Sequence, residues 1–484
     1  MLFIRANSLP LALDEGERLR LLDELASATG LTPLLRSTRR RLFRSLAPRG
    51  LDGEAASHAA DEIERACASR PAPEGATGYT PGDLFFEADC ALSLTFGEEQ
   101  LSASVIYSLD TSGPLARLER FCRDVREALA KVRGEDEGGA GMSQTAARAE
   151  WRPRSGAPAQ GLARFIAGQP ADFVRAAAAL RGGRELTRAS ELMEEPEVRA
   201  FLRRVQEMRS EGYTPRRLFA EAGTAPLQRM IEAGLLEREV RVSCRKSGHA
   251  LFDLPTPDSL AAVTISRAKC SLCASPVADE RIEETINPSR LAVSLLEDGR
   301  WLANRVYKVV RSLGVPDSEI ASGPSTSHGE SSLAADVCGN SFLFVTRDGD
   351  LTPAFCRRAA EAVEETEATH LVVVVTGSVE DEGRLRLYEF AWRRARAGQD
   401  LSATIVEGLA SLRAEVERAF SQAVNRELSR SLFPLDPALG FSAASFVLNW
   451  FRLARRQADV KAAGQSAEGA PAPLFPQLDR PLAS

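Results

Sequence analysis

The run HLVVVV, His370–Val375, constrains the fold more than any other stretch of this chain. Every side chain after the histidine is apolar, so neither strand face can be left to water, and the run fits a central strand covered on both sides. TPAFCRRAAEAVEETEA before it and RLRLYEFAWRRARAG after it carry apolar residues at helical spacing, and LSATIVEG reads as another short strand. Upstream, ESSLAADVCGNSFLFVTRDGD reads as two strands turning at Gly339-Asn340, preceded by one long helical stretch, RLAVSLLEDGRWLANRVYKVVRSLG. An α/β domain with a buried central strand is expected here.

At 484 residues the chain is too long for one core, and roughly 150 residues per domain predicts about three domains. The net charge of −6 carries no global nucleic-acid signature, so any such contact must come from local patches. No run approaches the ~18–20 apolar residues that cross a bilayer. The start meets acid too soon, at Asp14, for a signal peptide. Eight cysteines, mostly scattered, fit a reducing cytoplasm better than a disulfide framework. Arginine far exceeds lysine and alanine is plentiful, as in proteins of GC-rich bacterial genomes.

Residues 1–133 read as an N-terminal α/β domain. LDEGERLRLLDELA is a helix with Asp14 placed at its start, FFEADCALSLTF and LSASVIYSLD are strands around the turn GEEQ, and PLARLERFCRDVREALAKV is an amphipathic helix. Between them, TPLLRSTRRRLFRSLAPRG packs Arg36, Arg39, Arg40, Arg41, Arg44 and Arg49 into one acid-free span, either a phosphate-contacting face or a solvated one. Residues 134–161, rich in Gly, Ala, Ser and Pro, read as a linker, and 464–484 as a disordered tail. GYTPGDLF (78–85) and GYTPRRLF (212–219) echo each other, and in both, Thr before Pro reads as a helix start.

YTPRRLFAEAGTAPLQRMIEAGLLEREVRVSC has the order helix, tight turn, helix, strand. It resembles a winged helix, expected over 162–243, whose wing strand runs into a metal knuckle. In DNA-binding members the second helix enters the major groove, which makes Arg216, Arg217 and Arg229, with Arg39, Arg40 and Arg41 of the N-terminal span, the candidate DNA contacts. Residues 244–287 then resemble a zinc ribbon. Cys270 and Cys273 form a C-x-x-C pair, but the first pair, CRKSGH, has Ser247 where a second cysteine is usual. A serine hydroxyl is a poor ligand at neutral pH, whereas His249 is a good one. The expected set is Cys244, His249, Cys270 and Cys273 around a structural Zn²⁺ with no open position for water. The alternative is a ribbon that has lost its metal.

From residue 288 to 463 the order α-β-β-α-β and the phrase AADVCGNSFLFVTRDGD resemble the PD-(D/E)XK restriction-endonuclease-like fold. That resemblance implies an acid ending one strand and, across a hairpin, acid-x-Lys on the next, the acids holding Mg²⁺ at the scissile phosphate. Asp336 takes the first position, but Val345 stands for the second acid and Arg347 for the lysine. Valine cannot bind a cation, and arginine is too basic to transfer a proton. Glu330, Glu319, Asp348 and Asp350 are the acids that could have migrated into the site, and Glu330 is the best placed.

The fold class expected is therefore multidomain α/β: an N-terminal α/β domain, a winged helix plus zinc ribbon, and a restriction-endonuclease-like core. Function is expected to be that of a bacterial cytoplasmic protein that binds nucleic acid or assembles a nucleic-acid-processing complex, in antiviral defence or DNA repair, with an inactive nuclease core. Its expected partners are nucleic acid and proteins, not a membrane. Two alternatives stand beside it: an active Mg²⁺-dependent endonuclease using Asp336, Arg347 and Glu330, and a protein-interaction adaptor that touches no DNA.

Overall fold

A computed structural model describes residues 1–46, 53–69, 78–134, 150–153, 159–168, 184–211, 224–246, 250–254, 269–274, 281–326 and 329–468. The chain forms two compact units, Met1–Arg154 with Ser421–Ser484, and Ser155–Phe420. This corrects the expected partition in one respect: residues 421–463, assigned from sequence to the last domain, belong with the N-terminal unit.

The first unit is built on an antiparallel sheet of β1 (Leu2–Leu9), β2 (Gly82–Phe86), β3 (Cys90–Phe96), β4 (Leu101–Ser108) and β5 (Arg152–Pro153), in the order β2-β3-β4-β1-β5. Helices α1 (Glu15–Thr29) and α4 (Pro114–Arg133) supply Leu21, Leu22, Leu25, Phe121 and Val125 to a core against Phe85, Leu92 and Val105. A capping box starts α1, with Asp14 Oδ1 accepting from the Glu17 amide (2.7 Å) and Glu17 Oε2 from the Asp14 amide (3.0 Å). Helices α2 (Leu34–Leu46) and α3 (Gly53–Ala68) pack on each other.

Three expectations fail in this unit for readable reasons. GYTPGDLF does not start a helix: Leu84 and Phe85 are fully buried in β2, and Gly82 has φ 144°, with Leu94 O only 2.1 Å from where a Cβ would sit. The expected linker is anchored at residues 150–153, where β5 pairs with β1 and Trp151 Nε1 donates to Cys122 O (2.9 Å). A helix also extends through Ala443–Glu468, so the expected tail begins as helix. Its Phe446 and Trp450 rings pack on Phe86 of β2, at centroid distances of 5.8 and 4.9 Å.

The second unit opens with α5 (Ala159–Ala167), α6 (Arg184–Leu192), α7 (Pro196–Ser210) and α8 (Thr224–Glu232). β6 (Leu236–Ser243) is then the centre of an antiparallel sheet, β7-β6-β8, with β7 (Ala250–Leu254) and β8 (Arg281–Pro288). The first helix expected of the winged helix, with Arg216 and Arg217, lies outside the described residues. The expected single long helix after residue 288 is two, α9 (Arg290–Asp298) and α10 (Arg300–Ser312), parted by Gly299 at φ 62°.

A five-stranded mixed sheet follows: β9 (Ile320–Thr326), β10 (Glu330–Val337), β11 (Asn340–Arg347), β12 (His370–Val375) and β13 (Ser402–Glu407), ordered β13-β12-β11-β10-β9. The first three form an antiparallel meander, and β11, β12 and β13 are parallel. The Ser/Gly-containing segment IASGPST thus forms strand β9. HLVVVV lies inside the sheet with all six residues buried. One sheet face, with Ala334, Leu343, Val373 and Val375, meets Phe165 of α5, Phe355 and Val363 of α11 (Pro353–Thr366) and Leu387 of α12 (Asp381–Arg396). On β11, Phe342 and Phe344 stack edge-on against Phe420 of α13 (Leu412–Leu432). Each such fully buried ring contributes about 1.5–3 kcal/mol. Among the described residues no single helix is long and apolar enough to cross a membrane.

Candidate functional site

Two groups of chemically distinctive side chains stand out in the second unit. The first is a trio of thiols. Cys244 follows β6, and Cys270 and Cys273 lie on a tight turn closed by the Ala274 amide donating to Cys270 O (2.8 Å). Ala274 sits in the left-handed region, φ 54°, which turns the backbone around the pair. The ligand atoms of the three cysteines all lie within 4.8 Å of one another, the only such group of three or more His, Cys, Asp or Glu among the described residues. Cys244 and Cys270 are buried and Cys273 is exposed. Cys244 Sγ and Cys273 Sγ are 3.3 Å apart, well beyond the ~2.05 Å of a disulfide. Three convergent sulfur donors can hold a metal ion. His249, the fourth ligand expected, lies outside the described residues.

The second group lies at the end of the β10–β11 hairpin remote from its turn, and it revises the sequence-based site. A two-residue turn, Cys338 (φ 53°) and Gly339 (φ 80°), fixes the register, pairing Asp336 with Ser341, Ser332 with Val345 and Glu330 with Arg347. Asp336 is therefore not across from Val345 and Arg347. It sits beside the turn, where its Oδ1 accepts from the Gly339 amide (2.8 Å). Asp336 and Glu330 are six residues apart on one strand, about 20 Å at ~3.4 Å per residue, so they cannot share a metal ion. Glu319 is no replacement near Glu330 either, because Ile320 pairs with Ala335 and brings it to the Asp336 end.

Glu330 is the acid that faces Arg347. Its carboxylate is buried and accepts from Arg347 Nη1 (2.9 Å), Arg358 Nε (2.8 Å) and Arg358 Nη2 (2.5 Å). The bond to Glu330 holds the Arg358 guanidinium above its usual pKa range. Two cations on one carboxylate leave the cluster with a net positive charge. Sequence reasoning missed Arg358, which α11 delivers from 28 residues away.

The other acids near this end are committed elsewhere. Asp348, on the opposite strand face, pairs with Arg199 Nε (3.4 Å) and Arg203 Nη2 and accepts from Thr376 Oγ1 (2.7 Å). Burial lowers the pKa of Arg199, which lies 4.6 Å over the Trp301 ring. Asp350 accepts from the Ser378 amide (2.6 Å) and hydroxyl (2.9 Å), bonds that hold its carboxyl below the usual range.

The candidate DNA-contacting arginines fare unequally. Arg229 is exposed and pairs with Glu195 (2.5 Å). Arg39 donates to Tyr79 O (2.8 Å) and lies over the Tyr79 ring. Arg40 is held by Asp23 and Asp61, and its buried neighbour Arg36 by Asp23 and Glu64. Arg41 is exposed. Comparison of the chain with family models, with curated proteins and with solved structures returns no match.

Proposed function

We propose that the chain is a bacterial cytoplasmic nucleic-acid-binding or complex-assembling protein, serving antiviral defence or DNA repair. Its mixed-sheet region is a restriction-endonuclease-like core that has given up metal catalysis. The observation that carries this is the Glu330–Arg347–Arg358 cluster. Where the resemblance calls for two acids and a lysine around Mg²⁺, one carboxylate is already neutralised by two guanidiniums and Val345 supplies no donor. A helix, the β9–β10–β11 meander, helix α11 and the parallel β11–β12 pair support the same kinship. A cationic, metal-independent cluster suits a phosphate backbone better than it suits hydrolysis.

The metal we assign to the thiol trio is Zn²⁺, with His249 completing the set. Tetrahedral sulfur-rich ligation favours zinc, and four protein ligands make it structural. Its role is to tie the β6 end to the Cys270–Cys273 turn, with folding of that small module coupled to the metal.

Incubation of the purified protein with supercoiled and single-stranded DNA in Mg²⁺ or Mn²⁺ tests the core. No cleavage is expected, while DNA binding should weaken steeply with salt. Cleavage lost on Glu330→Gln would restore the endonuclease reading. Binding that is absent at low salt would leave only a protein adaptor. For the metal, elemental analysis should find zinc near one per chain, falling in Cys270→Ser.

A further inference from the structure

Helix α12 presents a face that the fold does not use. Gly383, Leu387, Phe390 and Ala391 are buried, while Leu385, Tyr388 and Trp392 are 59, 47 and 60% exposed. Spacings of three and four residues put these three side chains in one line along the helix, about 10 Å long at ~1.5 Å per residue. Arg396 continues the line, its guanidinium 4.7 Å over the Trp392 ring, and Arg393 flanks it. Neither arginine has an acidic partner among the described residues, whereas the first-turn pair Arg386–Glu382 is closed at 2.7 Å. The exposed acids Asp381 and Glu382 lie in the first turn and Glu389 is the one acid of the C-terminal half of the helix, so that half is cationic.

We propose that this face binds single-stranded nucleic acid, with an unpaired base stacked on Trp392, a second against Tyr388, and phosphates on Arg393 and Arg396. The inference rests on the nucleic-acid reading above and gives it a site and a substrate class. Charge complementarity selects the partner: exposed rings alone would suit any apolar surface, but rings interleaved with uncompensated arginines suit a polyanion with free π-faces. Duplex DNA hides its base faces, so a single strand is the occupant that uses both features. The line accommodates two or three nucleotides at ~3.4 Å each.

The test is fluorescence anisotropy of end-labelled oligothymidine and oligouridine, about 20 nucleotides long, titrated with the full-length protein. A duplex of the same length serves as comparison. Trp392→Ala should weaken single-strand binding about tenfold, the loss of one stacked base, and Trp392→Phe should restore most of it. Arg393→Ala/Arg396→Ala should weaken binding and flatten the log–log salt dependence by about 1.4, since each lost single-strand phosphate contact removes ~0.7. Comparison of the two oligomers decides between DNA and RNA. Wild-type binding that neither variant changes would overturn this site while leaving the nucleic-acid reading intact. A Trp392→Ala variant that loses self-association instead of oligomer binding would assign the face to a second copy, and tighter duplex binding would overturn the single-strand class. Failure of the wild type to bind any of the three at low salt would overturn both readings.

Discussion

Helices α2 and α12 each carry a dense run of arginines, and the fold treats them in opposite ways. In α2, Arg36 and Arg40 are taken up by Asp23, Asp61 and Glu64, acids of α1 and α3, and Arg39 lies on Tyr79. In α12, Arg393 and Arg396 remain outside beside exposed aromatic rings. The span around α2 contains no acid of its own, yet its carboxylate partners come from 13 and 28 residues away. Arginine density therefore does not measure cationic surface; the neighbours decide.

The difference can be broken at its strongest point first. Arg36→Ala should destabilise the protein by about 3 kcal/mol in chemical unfolding, because buried Glu64 would keep only the longer contact to Arg40 Nε (3.7 Å). A loss below about 1 kcal/mol would mean that α2 is as solvated as its sequence implied. The cap of the same helix gives a pH signature. Asp83 is buried and accepts from the amides of Leu35 (2.7 Å) and Arg36 (2.9 Å). Burial pushes its carboxyl up to about 6, against these bonds, which pull it down. The native state thus holds this proton more tightly than the unfolded chain. The resulting stabilisation is full below about pH 3.8 and lost as pH rises through about 6. Relative to Asp83→Asn, the wild type should lose on the order of 3 kcal/mol between pH 4 and 7, read from denaturation midpoints across that range. Arg40→Ala, at a half-exposed position, should cost about 1 kcal/mol. Arg393→Ala with Arg396→Ala should leave the melting temperature unchanged, an effect within about 0.5 kcal/mol. A large loss there would show that α12 uses its arginines structurally after all.

How much of this was legible in the sequence follows from how local each signal is. HLVVVV announces a buried strand because no other use of six such residues is stable in water. The thiol trio is legible because soft donors are rare and two of them, Cys270 and Cys273, are three residues apart. Strand β1, LFIRANSL, escaped because it does not alternate cleanly. The hairpin was seen, but its register was not: a turn at Gly339-Asn340, one residue late, pairs Asp336 with Leu343 instead of Ser341, and neither register sets Asp336 against Val345 or Arg347. Arg358 and the acids that claim Arg36 and Arg40 lie on separate elements, and no local pattern reports which elements will meet.

Because the first unit takes in both Met1–Arg154 and Ser421–Ser484, its assembly has a timetable. On a ribosome adding about 5–20 residues per second, roughly 270 residues of the second unit pass between the two halves, a delay of tens of seconds. During that interval the sheet exists without the helix that brings Phe446 and Trp450 to Phe86. A nascent chain of this protein thus spends part of its synthesis with an apolar sheet surface uncovered. A fragment ending at residue 154 would hold that state indefinitely, and chaperone capture or aggregation of such a fragment is its expected fate.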